Sequence, residues 1–383
     1  MNTYFDNAST SWPKPPAVLR AISECMETLQ GNPGRTSGGQ GAGLIPQTRA
    51  LAARFFNIQD PSRVVFTPNA TAAMNLGIRG LLRAGDRVVT SSMEHNAVSR
   101  PLIALRKSGI IEYDIVRATP QGTVDPDDLS RVVEKKKTRL VVLTHASNIA
   151  GSYNELEPLG HVAKRFGAAF MIDASQSAGV VPIDVQRDRV DILACPGHKS
   201  LLGPTGTGFC YLSAELGGLA PILWGGTGSY SALEGMPDVL PDRFEAGTLN
   251  FHGIAGLKAS LEYLIERGLD DVARREEAIA DRMLDGIQGI PGLTLHGPRS
   301  AKKRLLVFSV THAVHSPEVL GNSLSELHGI TTRVGLHCAP WAHETFRTVP
   351  HGTLRISPGL FHKDEEIDFA VESLRDVVAR LDR

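Results

Sequence analysis

Short apolar runs alternate with amphipathic stretches between residues 63 and 213. The runs are apolar on both faces, which is typical of strands covered by helices on both sides of a sheet. The stretches between them have the apolar spacing of helices. The predicted order is strand 63–67, helix 70–82, strand 87–91, helix 97–107, strand 112–116, helix 127–134, strand 140–144, helix 156–166, strand 168–172 and strand 191–194. This alternation predicts βαβ units and a mostly parallel sheet.

The C-terminal part of the chain has a different pattern. Amphipathic helices are predicted over 271–287 and 363–381, and the region between them predicts strand 305–310, helix 317–328 and strand 352–357. We therefore expect a large domain over residues 13–255 and a smaller α/β domain over residues 256–383. Residues 1–12 are expected to pack with either one.

Charge and hydropathy exclude several classes of protein. The 383 residues include 40 Lys plus Arg and 41 Asp plus Glu, a formal net charge of −1. Nucleic-acid-binding proteins usually carry a basic excess, so no nucleic-acid partner is expected. No run of 18 apolar residues is present, and the first residues lack the basic and apolar regions of a secretion signal. We therefore expect neither a membrane span nor a leader.

The four cysteines are far apart in the sequence. Cys25, Cys195, Cys210 and Cys338 form no CxxC pair, so neither a zinc site nor a disulfide framework is predicted. A cytoplasmic, reducing compartment is the expected location. A functional cysteine in such a compartment would then have a chemical role rather than a structural one in a disulfide.

Polar residues follow nearly every strand of the predicted parallel sheet. In open α/β sheets, ligands bind beyond the carboxyl ends of the strands. The residues at these ends are Thr67 to Thr71, Glu94-His95-Asn96, His145 with Asn148, Asp173 to Gln176, and Pro196-Gly197-His198-Lys199. A hydroxyl at a helix start, a stackable ring, an acid, an amide and a lysine would suit a phosphorylated aromatic cofactor. No GxGxxG follows the first strand, so a dinucleotide-binding dehydrogenase is not expected.

Five segments carry a resemblance to a known family. They are Phe66-Thr67 with Ala70-Thr71, Asp173-x-x-Gln176, Gly197-His198-Lys199, Arg243 to Thr248, and Arg333-x-Gly335-x-His337-Cys338 followed by Arg355. On these segments the chain resembles the class V aminotransferase family of fold-type I pyridoxal 5'-phosphate (PLP) enzymes, and within it the cysteine desulfurases and selenocysteine lyases. The resemblance implies PLP as cofactor. It also implies a large domain whose mostly parallel sheet is sandwiched by helices, with a smaller C-terminal α/β domain.

The resemblance assigns the reactive end of the cofactor to three residues. Lys199 would bind the cofactor aldehyde and serve as a base, which requires a partly desolvated amine; a solvated surface lysine is the alternative. Asp173 would face the pyridine nitrogen and keep it protonated; a helix N-cap is the alternative. Gln176 would reach the phenolic oxygen of the cofactor.

The phosphate end is assigned to a helix start. Thr71 and the amide of Ala70 would hold the phosphate, because orphan N–H groups and the helix dipole favour anions there. A simple N-cap is the alternative for Thr71. His198 would add a phosphate contact. Thr248 resembles the threonine that reaches the phosphate across a dimer interface in this family, which implies a homodimer.

Two further residues would contact the ring or the substrate. His95 would stack on the cofactor ring and shuttle protons, with a core histidine as the alternative. Asn148 would touch the ring oxygen or the substrate carboxylate, with a turn asparagine as the alternative.

Cys338 is the residue that distinguishes a cysteine desulfurase from other members of the family. It lies where the family's persulfide-bearing cysteine lies, and His337, Arg333 and His343 would favour its thiolate; a buried apolar cysteine is the alternative. Arg355 resembles the arginine that binds the substrate α-carboxylate through a bidentate contact. Arg35, in a glycine-rich segment, is a further candidate for the substrate entrance.

The sequence departs from the family pattern in two places. Pro196 stands where the family usually has a phosphate-binding serine, so one phosphate contact is lost or supplied elsewhere. Residues 339–345 differ from the best-known desulfurases, which leaves the substrate and the sulfur acceptor open.

The expected activity is that of a cysteine desulfurase. It would convert L-cysteine to L-alanine and pass the sulfur, as a persulfide on Cys338, to an acceptor protein. The alternatives are a selenocysteine lyase, another C–S β-lyase, a class V aminotransferase, and a non-catalytic sulfur-assembly partner. The intact set of Lys199, Asp173 and His95 argues against the last of these.

Overall fold

The computed structural model describes residues 2–29 and 43–383. A seven-stranded sheet forms its larger part. Its strands are β1 Val64–Thr67, β2 Asp86–Ser91, β3 Ile111–Val116, β4 Leu140–Thr144, β5 Ala169–Asp173, β6 Ile192–Pro196 and β7 Gly208–Leu212. Their spatial order is β1-β7-β6-β5-β4-β2-β3, and β7 alone in this sheet runs antiparallel to its neighbours. The mostly parallel sheet was predicted, and the structure confirms it.

Helices cover both faces of this sheet. They are α1 Pro16–Thr28, α2 Leu44–Phe55, α3 Ala70–Leu81, α4 Asn96–Lys107, α5 Pro126–Glu134, α6 Leu156–Arg165 and α7 Phe251–Arg267. Side chains of α3 and α4 such as Ile78 and Leu102 share one core with Val88 of the sheet. The opposite face packs against α2, α5, α6 and α7. Burial on both faces explains why the strand sequences are apolar throughout.

A second, four-stranded antiparallel sheet has its own core. Its strands, in the spatial order β10-β11-β9-β8, are β8 Leu293–Leu295, β9 Phe308–His312, β10 Arg333–Gly335 and β11 Thr353–Ile356. The remaining helices are α8 Leu269–Gln288, α9 Pro317–His328, α10 Pro340–Thr345 and α11 Asp364–Leu381. Apolar residues of α8, α9 and α11 pack on this sheet.

The strand predicted over 305–310 begins three residues late, at Phe308. Leu305 and Leu306 are buried, but they precede the strand, and the Leu305 amide donates to the Gly151 carbonyl at 2.8 Å. The apolar run that suggested a strand therefore begins as a buried connection between the two sheets.

The division of the chain into domains stays a prediction. Helix α7 crosses the expected boundary at residue 255, and its Leu257, Leu261 and Leu264 belong to the core of the large sheet. We propose that the boundary lies at Gly268, between α7 and α8. The N-terminal segment contacts both parts, since Phe5 lies in the core of the small sheet while the Ser11 amide donates to the His198 carbonyl.

No helix of the described residues is long and apolar enough to cross a membrane.

Candidate active site

The carboxyl ends of six strands lie at one edge of the large sheet, and five of these strands lead into predicted site residues. β2, β4, β5 and β6 are parallel, and β1 points the same way because both β1 and β6 are antiparallel to β7. This edge therefore receives Ala70 and Thr71 after β1, His95 after β2, Asn148 after β4, Asp173 at the end of β5, and His198 and Lys199 after β6. The topology brings together the residues that the sequence predicted.

Asp173 is 2% exposed and lies at the centre of this edge. Its Oδ1 accepts from the Ser175 amide at 2.9 Å. Its negative charge acts to raise the pKa of both His95 and Lys199, so the carboxylate lies near both side chains. Gln176 is buried on the next turn, where its Nε2 donates to the Ala8 carbonyl at 2.9 Å.

Lys199 lies in a tight turn whose backbone is held from two sides. Its carbonyl accepts from the Leu202 amide at 2.8 Å and from the Ser11 hydroxyl at 2.8 Å. Burial lowers the pKa of Lys199 to about 8, against an opposing effect of Asp173. About a tenth of the amine is therefore uncharged at pH 7, far more than for an ordinary lysine, and the uncharged form is the one that acts as a nucleophile or base.

His95 caps the start of α4 with its own ring. Its Nδ1 accepts from the Ala97 amide at 3.0 Å. Burial lowers the pKa of His95 to about 4, so the ring is neutral at neutral pH. A neutral ring that accepts at Nδ1 carries its hydrogen on Nε2, which leaves that atom as a donor.

The start of α3 offers free amides. Asn69 caps the helix by accepting from the Ala72 amide at 2.9 Å. Within the described residues, the amides of Ala70 and Thr71 have no such partner, and Thr71 is exposed. Gly208 lies so close that a Cβ there would come within 3.2 Å of the Asn69 backbone, so the start of β7 packs directly against this helix end.

His198 also fits an anion site. Its Nδ1 is buried and has no hydrogen-bond partner among the described residues. Burial lowers the pKa of His198 to about 4. Pro196 is the last residue of β6 and is buried against Gly208 of β7. Because proline has neither an N–H nor a side-chain hydroxyl, Pro196 adds no hydrogen-bond donor to the site.

Thr248 is exposed and lines a cavity of about 370 Å³. Thr67 and Pro68, which precede α3, line the same cavity. Thr248 therefore lies near the predicted phosphate site, on the wall of the same cavity.

Cys338 is carried by the loop between β10 and α10. Its carbonyl accepts from the Asn96 amide at 2.7 Å, and the carbonyl of His337 accepts from Asn148 Nδ2 at 2.8 Å. The loop is thereby fixed to the two strand-end loops that carry His95 and Asn148. Cys338 is exposed and also affects the pKa of Lys199, which places the thiol on the same side of the site.

The structure corrects the prediction that His337 and His343 favour the thiolate of Cys338, because burial keeps both rings uncharged. Burial lowers the pKa of His337 to about 2 and of His343 to about 4. Both rings are therefore neutral at neutral pH and supply no positive charge to favour a thiolate. Arg333 remains as the charged neighbour, and it donates to the Ser9 hydroxyl at 2.6 Å.

Arg355 is 2% exposed and already has three partners. Its Nη2 donates to Asp6 Oδ1 at 2.7 Å and to Ser9 Oγ at 2.9 Å, and its Nη1 donates to the Asn148 carbonyl at 3.3 Å. Its Nε is buried without a partner among the described residues. The Nε–H, and the second N–H of Nη1, are the donors of the guanidinium left for a ligand carboxylate. Arg35 lies outside the described residues.

The N-terminal segment contributes residues to the site that were not predicted from the sequence. Besides Asp6 and Ser9, it brings in Ser11 and Lys14, whose Nζ donates to the His198 carbonyl at 2.8 Å. No periodicity or spacing marks these residues, because their partners lie more than 180 positions away in the sequence.

These groups fit PLP. A buried carboxylate, a lysine with a lowered pKa, a neutral ring, a helix start with free amides and an unpartnered histidine nitrogen are the donors that the cofactor's ring, aldehyde and phosphate need.

Comparison with known proteins decides the family. The model of the family described as aminotransferase class V matches residues 3–369. The chain belongs to the class V aminotransferase family. As a member of this family it is a PLP-dependent protein, and its architecture is that of the fold-type I enzymes.

Curated relatives cover almost the whole chain. A probable cysteine desulfurase of Methanothermobacter thermautotrophicus is 33% identical over 98% of this chain and 94% of its own length. A cysteine desulfurase of Escherichia coli O157:H7 is 32% identical over 98% of this chain and 93% of its own length.

Solved structures of class V relatives have the same fold. The apo cysteine desulfurase of Thermococcus onnurineus NA1 is similar with a TM-score of 0.91 and 30% identity, over 98% of this chain and 94% of that one. An S-sulfonic acid form of a cysteine desulfurase of Escherichia coli has a TM-score of 0.88 and 26% identity, over 99% and 95%.

Proposed function

We propose that this protein is a PLP-dependent cysteine desulfurase that converts L-cysteine to L-alanine and receives the sulfur on Cys338. The observation that carries the proposal is the fixed position of the Cys338 loop. Two hydrogen bonds, from Asn96 and Asn148, hold a thiol-bearing loop against the strand-end loops of the PLP site. The curated relatives named as cysteine desulfurases support the same activity.

The residues that hold the cofactor follow from their chemistry. Asp173 would hold the proton on the pyridine nitrogen, the α3 start with Ala70 and Thr71 would hold the phosphate together with His198, and Lys199 would bind the aldehyde. Gln176 would donate to the ring oxygen. When bound, PLP withdraws electrons from the substrate Cα through its protonated ring.

The other residues handle the substrate. The free Nε of Arg355 would donate to the α-carboxylate, and the rest of that guanidinium is fixed by Asp6 and Ser9. The uncharged Nζ of Lys199 would take the proton of the substrate Cα. His95 would stack on the cofactor ring and donate from Nε2. Asn148 orients the Cys338 loop and would contact the ring oxygen or the substrate.

The sulfur transfer balances without an external oxidant. The thiolate of Cys338 attacks the substrate sulfur, an S–S bond forms, and the substrate Cβ–S bond breaks. Cβ is reduced and takes a proton to give alanine, while the two sulfurs are oxidised to the persulfide level. An acceptor protein would then remove the outer sulfur from Cys338, which is exposed on its loop.

The setting of this activity is part of the proposal. We propose a cytoplasmic homodimer, in which the exposed Thr248 would reach the phosphate of the partner subunit. Light scattering on the PLP-loaded protein tests the dimer. A Thr248→Ala variant should bind PLP more weakly, and unchanged PLP affinity would contradict the assignment of Thr248.

The activity is tested by product analysis on the protein supplied with PLP, L-cysteine and a reductant. Equal amounts of alanine and sulfide are the expected result. Pyruvate and ammonia together with sulfide would show β-elimination and overturn the proposal. A higher rate with selenocysteine than with cysteine would make the protein a selenocysteine lyase. Alanine formed from pyruvate and an amino donor would show an aminotransferase.

A further inference from the structure

Glu94 is a fully buried acid that the proposed mechanism does not use. It is 0% exposed and directly precedes His95 in the turn between β2 and α4. One of its oxygens, Oε1, accepts from the Ser91 hydroxyl at 2.5 Å and from the Thr144 amide at 3.0 Å. These contacts attach the turn to the end of β4, which lies beside β5.

The other oxygen of Glu94 has no partner. Oε2 is buried and makes no hydrogen bond within the described residues. No lysine, arginine or histidine among those residues forms an ion pair with this carboxyl group. A buried carboxylate without a counter-ion is strongly disfavoured, so the group keeps its proton. Because Oε1 accepts two hydrogen bonds, the proton lies on Oε2.

Asp173 adds a second reason for a neutral Glu94. Thr144, which donates to Glu94, is the register partner of Asp173 in the neighbouring strand. A charge on Asp173 disfavours a second charge on Glu94. Burial, together with the charge of Asp173, raises the pKa of Glu94 to about 8. Asp173 is the acid proposed to face the cofactor, so a charge on Glu94 would be a second negative charge beside it.

We propose that Glu94 is a positioning residue: an uncharged carboxylic acid that fixes the His95 turn to the end of β4 without placing a second negative charge beside Asp173. The inference rests on the proposed function only for the role of His95. The same turn also donates from Asn96 to the Cys338 loop, so its position matters for both the cofactor ring and the thiol.

The test compares Glu94→Gln with Glu94→Ala in the PLP-loaded protein. Glutamine keeps the acceptor oxygen and carries no charge, so kcat/KM near neutral pH should stay within about threefold of the wild type. Alanine removes both hydrogen bonds, and kcat/KM should fall by about tenfold or more. Equal losses in the two variants would overturn the proposal.

Infrared spectroscopy reads the charge state directly. A difference spectrum at neutral pH between wild type and Glu94→Gln should show the C=O stretch of a protonated carboxylic acid only in the wild type. A carboxylate band in its place would overturn the proposal. This readout needs no desulfurase activity, so it separates a failure of the inference from a failure of the proposed function.

The pH dependence of the site gives a third readout. The charge of Asp173 on β5 acts on Glu94, on His95 of the same turn and on Lys199 after β6. Arg333 of β10 also acts on the last two, Arg100 of α4 acts on His95, and Arg355 of β11 and Cys338 act on Lys199. Above its pKa, Glu94 would stabilise nearby cations. At lower pH Glu94 is neutral, so up to about pH 7 the absorbance of bound PLP should follow the same titration curve in Glu94→Gln as in the wild type. A curve moved to lower pH in the variant would show a charged Glu94 and overturn the proposal.

A matched control is available in Glu276. Burial raises the pKa of this acid on α8 to about 8 as well, but it lies against Leu305 and Leu360 rather than at the His95 turn. Glu276→Ala should keep kcat/KM near the wild-type value, because Glu276 does not support the His95 turn. A loss equal to that of Glu94→Ala would show a general effect of removing an acid with a raised pKa and overturn the proposal.

Discussion

The PLP side and the thiol side of the site are held in place differently. On the PLP side, Asp173 and Lys199 follow neighbouring parallel strands, so the register of the sheet brings them together. On the thiol side, Cys338 lies in a loop of left-handed residues, with φ of 44° at His337 and 58° at Cys338. Residues other than glycine rarely adopt this backbone conformation, so contacts with residues outside the loop must hold it.

This difference separates binding the cofactor from transferring sulfur. Each strand-end group depends on backbone pairing that the whole sheet stabilises. The position of the thiol depends instead on a few individual hydrogen bonds, with Asn96, Asn148 and Thr353. We therefore expect substitutions on the thiol side to lower sulfur transfer while PLP binding survives.

The largest effect is expected for Lys199→Ala. Without its amine the protein loses both the bond to PLP and the base at the substrate Cα, so alanine formation should fall by at least about 10³-fold. Alanine release is measured with saturating PLP. Lys14→Ala removes a half-buried amine beside the same turn and should cost much less. If both variants lose activity equally, Lys199 has no special role.

The next largest effect is expected for Cys338→Ala. The variant should bind PLP and show the wild-type absorbance, but sulfur transfer from cysteine should fall by about 10²-fold or more because no nucleophile remains. The half-buried Cys25 on α1 provides the matched control, and Cys25→Ala should transfer sulfur normally. Wild-type sulfur transfer by Cys338→Ala would show that the thiol side is not the acceptor.

A stability measurement examines the PLP side without any reaction. In the PLP-free chain, burial lowers the pKa of Lys199 from 10.5 to about 8. Below pH 8 the folded chain must bury the charged amine, which costs up to about 3 kcal/mol of unfolding free energy. Between pH 8 and 10.5 the unfolded chain binds more protons than the folded one, so this cost disappears as the pH rises.

Lys199→Met should therefore stabilise the PLP-free chain at neutral pH, with a gain that declines above pH 8. Denaturant unfolding at several pH values measures this. A constant difference between the two chains over the whole range would contradict the lowered pKa of Lys199.

The difference between the PLP side and the thiol side also explains which site residues the sequence predicts and which it does not. Ala70, His95, Asn148, Asp173 and Lys199 were predictable because residues after parallel strands must meet at one edge. The ion pair between Asp6 and Arg355 was not, since 349 positions separate its members and no pattern links them.

Helix α7 was missed for another reason. It is buried on most sides, so it lacks the apolar stripe that identifies an amphipathic helix. Gly256, where a Cβ would come within 2.9 Å of Ile22, lets α1 approach it closely. Packing of this kind depends on the distant partner helix and leaves no periodic signal in the sequence.

The smallest expected effect concerns the support of the thiol loop. His337 Nε2 lies 3.2 Å from the Thr353 hydroxyl and 3.1 Å from the Thr353 carbonyl. Thr353→Val removes the hydroxyl and keeps the shape and the carbonyl, so the loss should be about 1 kcal/mol, or about fivefold in the rate of sulfur transfer. PLP affinity should not change, because the PLP side does not use this contact.

Ser309→Ala provides the control for Thr353→Val. Ser309 lies on the adjacent strand and is also fully buried, but its hydroxyl has no partner within the described residues. Its removal should leave the sulfur-transfer rate unchanged. Single-turnover measurement of alanine release separates the two variants. A fivefold loss in Ser309→Ala as well would mean that the small sheet as a whole, rather than the contact to His337, holds the thiol in place.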